Sequence, residues 1–231
     1  MMSSTINHAH LLTLMQLASP ALPIGAYSYS EGIETLATVG TIATAADLHQ
    51  WLSQELKWGS IRLDATVIRF CYHAAVSQDT AQLEHWSDWL SALRETEEMR
   101  SQSWQMGRSL LRLFADLEPD LSQQFPSFVW TNDCHCAIAY SLVAQAWQIP
   151  LSEATLAFLH SWAANLISAA VRVVPLGQTE GQRLLRQLAS PIQSALTEIE
   201  TMTQADLMAC SWGLSLASMQ HETQYSRLFR S

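Results

Sequence analysis

The chain has 231 residues, a formal net charge of −9, 48% hydrophobic residues, eight Gly and seven Pro. This length and composition give a compact globular chain with a sizeable core rather than a disordered one, and the acidic balance argues against nucleic acid, which needs a basic surface. No apolar run approaches the roughly 18 to 20 residues of a membrane span, and no basic segment ahead of an apolar stretch reads as a signal peptide.

In chain order, Pro20, Pro23 and Gly25 force a defined non-helical path through residues 16–34, with Tyr27, Ser28, Tyr29 and Ser30 where the next helix should begin. Ser28 or Ser30 could cap that helix while the tyrosines pack. Thr44 to Asp47 resembles a capping box opening a helix through Lys57, the only lysine, so a catalytic lysine would have to be Lys57. Asp64, Ile68, Cys71 and Ala75 mark one face of a helix ending near Ser77, and residues 83–93 form another. Residues 94–117 read as a long amphipathic helix with Met106, Leu110, Leu113 and Phe114 on its apolar face. Its start, with Arg94, Glu95, Glu97, Glu98 and Arg100, reads as a solvated charged face.

Residues 118–133, rich in Pro, Asp and Ser, read as a loop, and residues 134–147 as a helix of small residues. After Pro150, Ser152 is the expected N-cap of a helix whose stripe runs from Leu156 through Leu159, Ala163, Leu166, Ile167 and Ala170 to Val174. Pro175 and Gly177 end it, residues 178–189 form the next helix, and Ser190-Pro191 reads as an N-cap with Pro at the first helical position of another. Residues 207–219 look like a buried helix. No segment alternates with period two between Asn-Gly or Asp-Gly turns, so strands are not supported. The expectation is all-α: one domain, residues 1–231, of about ten helices.

Cys134-His135-Cys136 suggests a metal cluster, but on a helix i and i+2 point about 200° apart, and no second pair completes a tetrahedral set. His135 is left as a capping or interface side chain and a weak metal candidate. Cys71 and Cys210 read as small core residues. His8 and His10 do not form a designed site. Four cysteines are too few for a disulfide scaffold and point to a reducing cytoplasm. No nucleophile elbow and no phosphate-cradling glycine loop is present.

Beside the path through residues 16–34, the loop carrying Gln178, Thr179 and Gln182 stands out as a polar stretch between apolar helices. The tail from His221 to Ser231 places Tyr225, Leu228 and Phe229 among Arg227 and Arg230. Aromatic and Arg side chains favour interface cores, so the tail is either a segment that orders against a partner or a last turn tucked onto its own body.

The segment Leu17 to Glu34, Arg94-Glu-Thr96 with Gln105-Met-Gly-Arg108, the loop Val174 to Gln182 and the tail Met219 to Arg230 together resemble the urease accessory protein F family, in order from about residue 11. Only His135 of the Cys-His-Cys run matches the family pattern, and Ala26 stands where Gly is frequent. The resemblance implies an all-helical, cytoplasmic homodimer that is not an enzyme. It implies an adaptor between the accessory D (or H) protein and the GTPase accessory G protein, acting in nickel insertion into apo-urease. No cofactor is then bound by this chain; nickel and GTP are handled by the complex. Thr223, Gln224, Tyr225, Arg227, Leu228, Phe229 and Arg230 would face the D partner. Tyr27, Ser28, Glu31, Gln178, Thr179 and Gln182 would face the G partner. Two alternatives stand beside this: a GTPase activator using Arg172 or Arg183, and a metal carrier acting alone.

Overall fold

A computed structural model describes residues 8–131, 133–209 and 211–231. Among them are thirteen α-helices: α1 (His8–Leu17), α2 (Ile33–Thr38), α3 (Ala45–Trp58), α4 (Ser60–Val76), α5 (Thr80–Ala92), α6 (Glu97–Leu117), α7 (Pro119–Ser122), α8 (Phe128–Thr131), α9 (Cys136–Ala146), α10 (Leu151–Val173), α11 (Gln178–Gln187), α12 (Ala189–Thr201) and α13 (Trp212–Glu222). No strand occurs among the described residues. Two of the helices beyond the expected number of about ten, α7 and α8, are single turns inside the stretch read as a loop. Pro119 at a helix start keeps a fixed φ and gives up an N–H that would have had no partner there.

Two clusters of buried side chains make one core. The first is built on α4, α5, α6 and α9, with Val67, Leu83, Leu110, Phe114, Ile138 and Val143. The second joins α3, α10 and α12 through Leu48, Leu52, Leu159, Ala163, Ile192 and Ile199. Phe158 and Leu207 pack against both, and α4 serves both: Ile68 and Cys71 enter the first, Ile61 and Ala65 the second. Every residue of α9 from Cys136 to Ala144 is buried, the pattern of a helix enclosed on all sides. Its neighbour α6 comes close because Gly107 has no side chain: a Cβ there would lie 2.3 Å from the Cys134 carbonyl oxygen.

The capping box at Thr44 and Asp47 is present, each side chain serving the other's backbone N–H. Ser152 is not a cap. Helix α10 starts at Leu151 after Pro150, and the Ser152 hydroxyl instead donates to Glu200 at 2.7 Å. Helix α12 begins at Ala189, two residues before Pro191, which is tolerated because first-turn N–H groups lack helical partners. Helix α10 is long and apolar enough to cross a bilayer by composition, contrary to the sequence expectation. Its stripe of Leu159, Ala163, Leu166 and Ile167 is nonetheless core. The last helix is shorter than expected and only half buried. Leu214, Ala217 and His221 face inward, while Trp212, Leu216 and Met219, spaced as one helical face, are exposed. Cys210 lies outside the described residues.

Polar groups are also enclosed. Arg94 places one guanidinium nitrogen 2.6 and 2.5 Å from the two carboxylate oxygens of Asp64, with both side chains largely buried. Glu31 accepts from Gln102 at 3.1 Å and from the Trp162 indole at 2.9 Å. These groups line a small cavity of about 130 Å³. Buried Glu55, at the end of α3, accepts from the Ser211 hydroxyl at 3.2 Å, and that hydroxyl accepts from the Ser60 N–H at 3.0 Å.

Candidate functional site

The tail folds back over α2 and α6. The path is set at α2, where Gly32 holds φ +77 and a Cβ would meet the Ala217 methyl at 3.0 Å. A residue without a side chain therefore lets α13 lie against α2. Two positions on, Glu34 is buried in the first turn of α2. Its carboxylate accepts from the Leu228 N–H at 2.7 Å and from the Phe229 N–H at 3.0 Å. The buried His221 ring lies between two carboxylates, Nδ1 2.7 Å from Glu98 and Nε2 3.4 Å from Glu34. Ser30 donates twice to the Ser231 carbonyl oxygen, by its N–H at 2.7 Å and its hydroxyl at 2.6 Å. The Arg230 N–H donates to the Ser28 carbonyl at 2.9 Å.

This backbone anchoring sorts the tail's side chains. Phe229 is 4% exposed, under the Arg172 guanidinium at 4.6 Å, whereas Leu228 beside it is 54% exposed and Tyr225 stands free in solvent. Arg227 turns back, bonding Glu98 at 2.5 Å, the Glu222 carbonyl at 2.6 Å and the Gln224 carbonyl at 3.0 Å. Arg230 is exposed and lines an open cleft with Tyr29, Glu97, Glu98 and Glu222. Gln224 accepts from Thr35 at 3.2 Å, and exposed Thr223 only closes its own helix end.

The family model for UreF matches residues 42–189. The urease accessory protein UreF of Nostoc sp. is 52% identical over 99% of both chains. That of Microcystis aeruginosa is 49% identical over 98% of this chain and 100% of its own, and that of Azoarcus sp. 40% identical over 96% and 95%. The chain belongs to the urease accessory protein UreF family. Its role therefore lies in urease maturation, as an accessory protein.

The residues that the UreF resemblance singled out fall on different surfaces. Tyr27 is exposed, and its carbonyl accepts from Arg172 at 3.3 Å; Ser28 holds Arg230, so this corner and the tail form one surface. Glu31 does not join it: its carboxylate points inward to Gln102 and Trp162. Burial raises the Glu31 pKa despite these hydrogen bonds. Gln178 and Thr179 are exposed in the first turn of α11, and Gln182 lines a separate apolar groove with Met15, Leu156 and Ile192. Phe229 is not an outward anchor, because it fills a place in the chain's own body. Arg183 pairs with Glu180 at 3.1 Å on an exposed helix face.

His135 caps α9, its Nδ1 accepting from the Ala137 N–H at 3.2 Å while Nε2 lies 3.1 Å from Arg94. Burial first, then the Arg94 charge, push its pKa well below the ordinary value. A neutral imidazole has one acceptor nitrogen, and both of its nitrogens face protein donors. Among the described residues no three His, Cys, Asp or Glu converge to hold a metal ion. Cys134 precedes α9, so helical spacing does not govern the Cys pair; burial pushes both thiols up to about 12.

Sequence reasoning missed Glu34, Glu98 and His221. Glu98 has the sequence setting of a solvated residue, yet it serves both His221 and Arg227. No local pattern links residues 34, 98 and 221; only the fold brings them together.

Proposed function

We propose that this chain is a non-catalytic adaptor in urease maturation, bridging the accessory D (H) protein and the GTPase accessory G protein so that GTP hydrolysis is coupled to nickel insertion into apo-urease. The observation that carries this reading is the tail: its backbone is fixed to the body while Tyr225 and Leu228 are held outward. A rigid backbone presenting apolar side chains lowers the ordering cost of association. The exposed face of α13, with Trp212, Leu216 and Met219, leads directly into it and extends the D-facing surface. Arg230 adds a charge-assisted contact at the edge. The G partner is assigned to the corner at Tyr27 and Ser28, with Gln178 and Thr179 as a further contact strip; Gln182 lies instead in the groove assigned to the second copy. Arg172 lies between this corner and Phe229, so it is the residue through which occupancy of the tail would reach the G partner. Nickel is cargo of the complex, and GTP belongs to the G protein.

The chain acts in the cytoplasm as a homodimer, and two copies present each patch twice, strengthening weak contacts through effective concentration. The groove between α1, α10, α11 and α12, lined by Leu14, Met15, Leu156, Leu185 and Ile192, is the face assigned to the second copy. Leu11, Leu12 and Met15 leave apolar surface exposed beside it.

The test is a Tyr225→Ala/Leu228→Ala double variant, titrated with purified D protein. Two exposed apolar anchors are worth about tenfold or more in affinity when they form an interface centre. The variant is expected to keep its melting temperature and lose that affinity; undiminished binding would sink the assignment. GTP turnover of the assembled complex with Arg172→Ala and with Arg183→Ala tests the activator alternative, which unchanged turnover in both removes.

A further inference from the structure

We propose that Glu34 is the positioning residue of the docking surface: by accepting from two successive tail N–H groups it fixes which side chains the tail shows to a partner. This rests on the tail-docking reading and adds the residue that organises it. Glu34 sits in the body of the fold, 194 and 195 residues away in sequence from the two groups it binds. One carboxylate oxygen takes the Leu228 N–H and the other the Phe229 N–H. Hydrogen bonds from backbone N–H to a carboxylate are among the stronger ones. The chain bends at Leu228 and Phe229, so both N–H groups turn to the same carboxylate, and fixing the two fixes the rotation of the chain between them. Phe229 is accordingly sent under Arg172 and Leu228 into solvent. Without the carboxylate both N–H groups lose their partner, and the seat of the Phe229 ring under Arg172 is left to orient the pair. Ser30 and Ser28 hold only the segment beyond Phe229, and Arg227 only the segment before Leu228.

The other groups around this carboxylate do not replace it. His221 of α13 faces it at 3.4 Å and belongs more closely to Glu98 of α6. Arg227 of the tail bonds Glu98, not Glu34. Among the described residues Glu34 is thus the acceptor that takes the main-chain N–H groups on both sides of the Leu228 Cα.

Glu34→Gln tests this in the full chain. The amide keeps the size of the side chain but offers one oxygen acceptor, and turns an NH₂ donor toward a second N–H donor. Losing one charge-assisted bond of this kind corresponds to a factor of about ten or more. Amide exchange at Leu228 and Phe229, measured by NMR, is expected to accelerate about tenfold or more relative to α9 and α10, whose exchange stays unchanged. Affinity for purified D protein is expected to fall by a similar factor. In the Tyr225→Ala/Leu228→Ala background, Glu34→Gln is expected to cost little further affinity, because Glu34 acts through those side chains. A merely structural contribution would instead add in full.

Unchanged exchange at Leu228 and Phe229 would overturn the assignment of Glu34. So would faster exchange with undiminished D binding, if the tail double variant does lose binding. If neither variant loses binding, the docking reading itself falls, whatever the exchange data say.

Discussion

Glu55→Gln is expected to stabilise this protein above neutral pH. Glu55 is buried at the end of α3, and burial is the chief reason its pKa rises from 4.5 to about 7. The Ser211 hydroxyl bond pulls the value down; the carboxylates of Glu31 and Glu95 push it up. A carboxyl with a raised folded-state pKa holds its proton where the unfolded chain has already lost it. Stability contributed by Glu55 is therefore complete below about pH 4.5, falls as pH rises towards 7 and is level above. The gap of about 2.5 pH units corresponds to about 3 kcal/mol at 1.36 kcal/mol each. This is an upper value, because burial also keeps Glu31 protonated to higher pH and so weakens its repulsion. A Gln amide can still accept from Ser211 and never ionises. Urea unfolding of both proteins at pH 5, 6, 7 and 8 measures the difference, since every other titrating group is shared. The variant should match wild type at pH 5 or fall slightly below it, and exceed it by about 2 to 3 kcal/mol at pH 8. Parallel profiles across that range would show that Glu55 titrates in the fold as it does in the unfolded chain, and would refute the argument.

Gly107→Ala places a methyl group against the backbone at Cys134, where no flexible side chain can give way. A loss of about 1 to 3 kcal/mol is expected from urea unfolding, and a neutral result would mean that α6 and α9 can separate without penalty. Arg94→Ala leaves Asp64 enclosed without its partner, at a cost of about 3 to 5 kcal/mol. The double variant Asp64→Asn/Arg94→Met should recover part of it; a double variant no better than Arg94→Ala would show that the pair is not what Arg94 supplies.

Much of this fold is legible locally. The stripe from Leu159 to Ala170 and the box at Thr44 and Asp47 are governed by helical spacing and by groups three residues apart, so the sequence displays them. Ala137, Ala139, Ala144 and Ala146 likewise mark a helix that its neighbours can approach closely. What escapes is anything that depends on which helix lies beside which. Arg94 and Glu98 look like a solvated helix start because charge is usually exposed; Asp64 and His221, distant in sequence, reverse that. The tail's composition flagged it, but composition treats Leu228 and Phe229 alike. In the fold Phe229 turns under Arg172 and Leu228 into solvent, with both N–H groups held at Glu34. Ser152 and Ser190 show the opposite error: good capping residues stand near helix starts that did not need them.

The seat of Ser231 bears on how this protein can be handled. Its carbonyl oxygen takes both donors of Ser30, and the residue is buried. Any purification tag or fluorescent fusion joined after Ser231 starts from inside that seat and must either pull the residue out or bend sharply to leave. Affinities measured with such fusions would report an altered tail even though no natural residue had been changed. Attachment ahead of α1 avoids the seat.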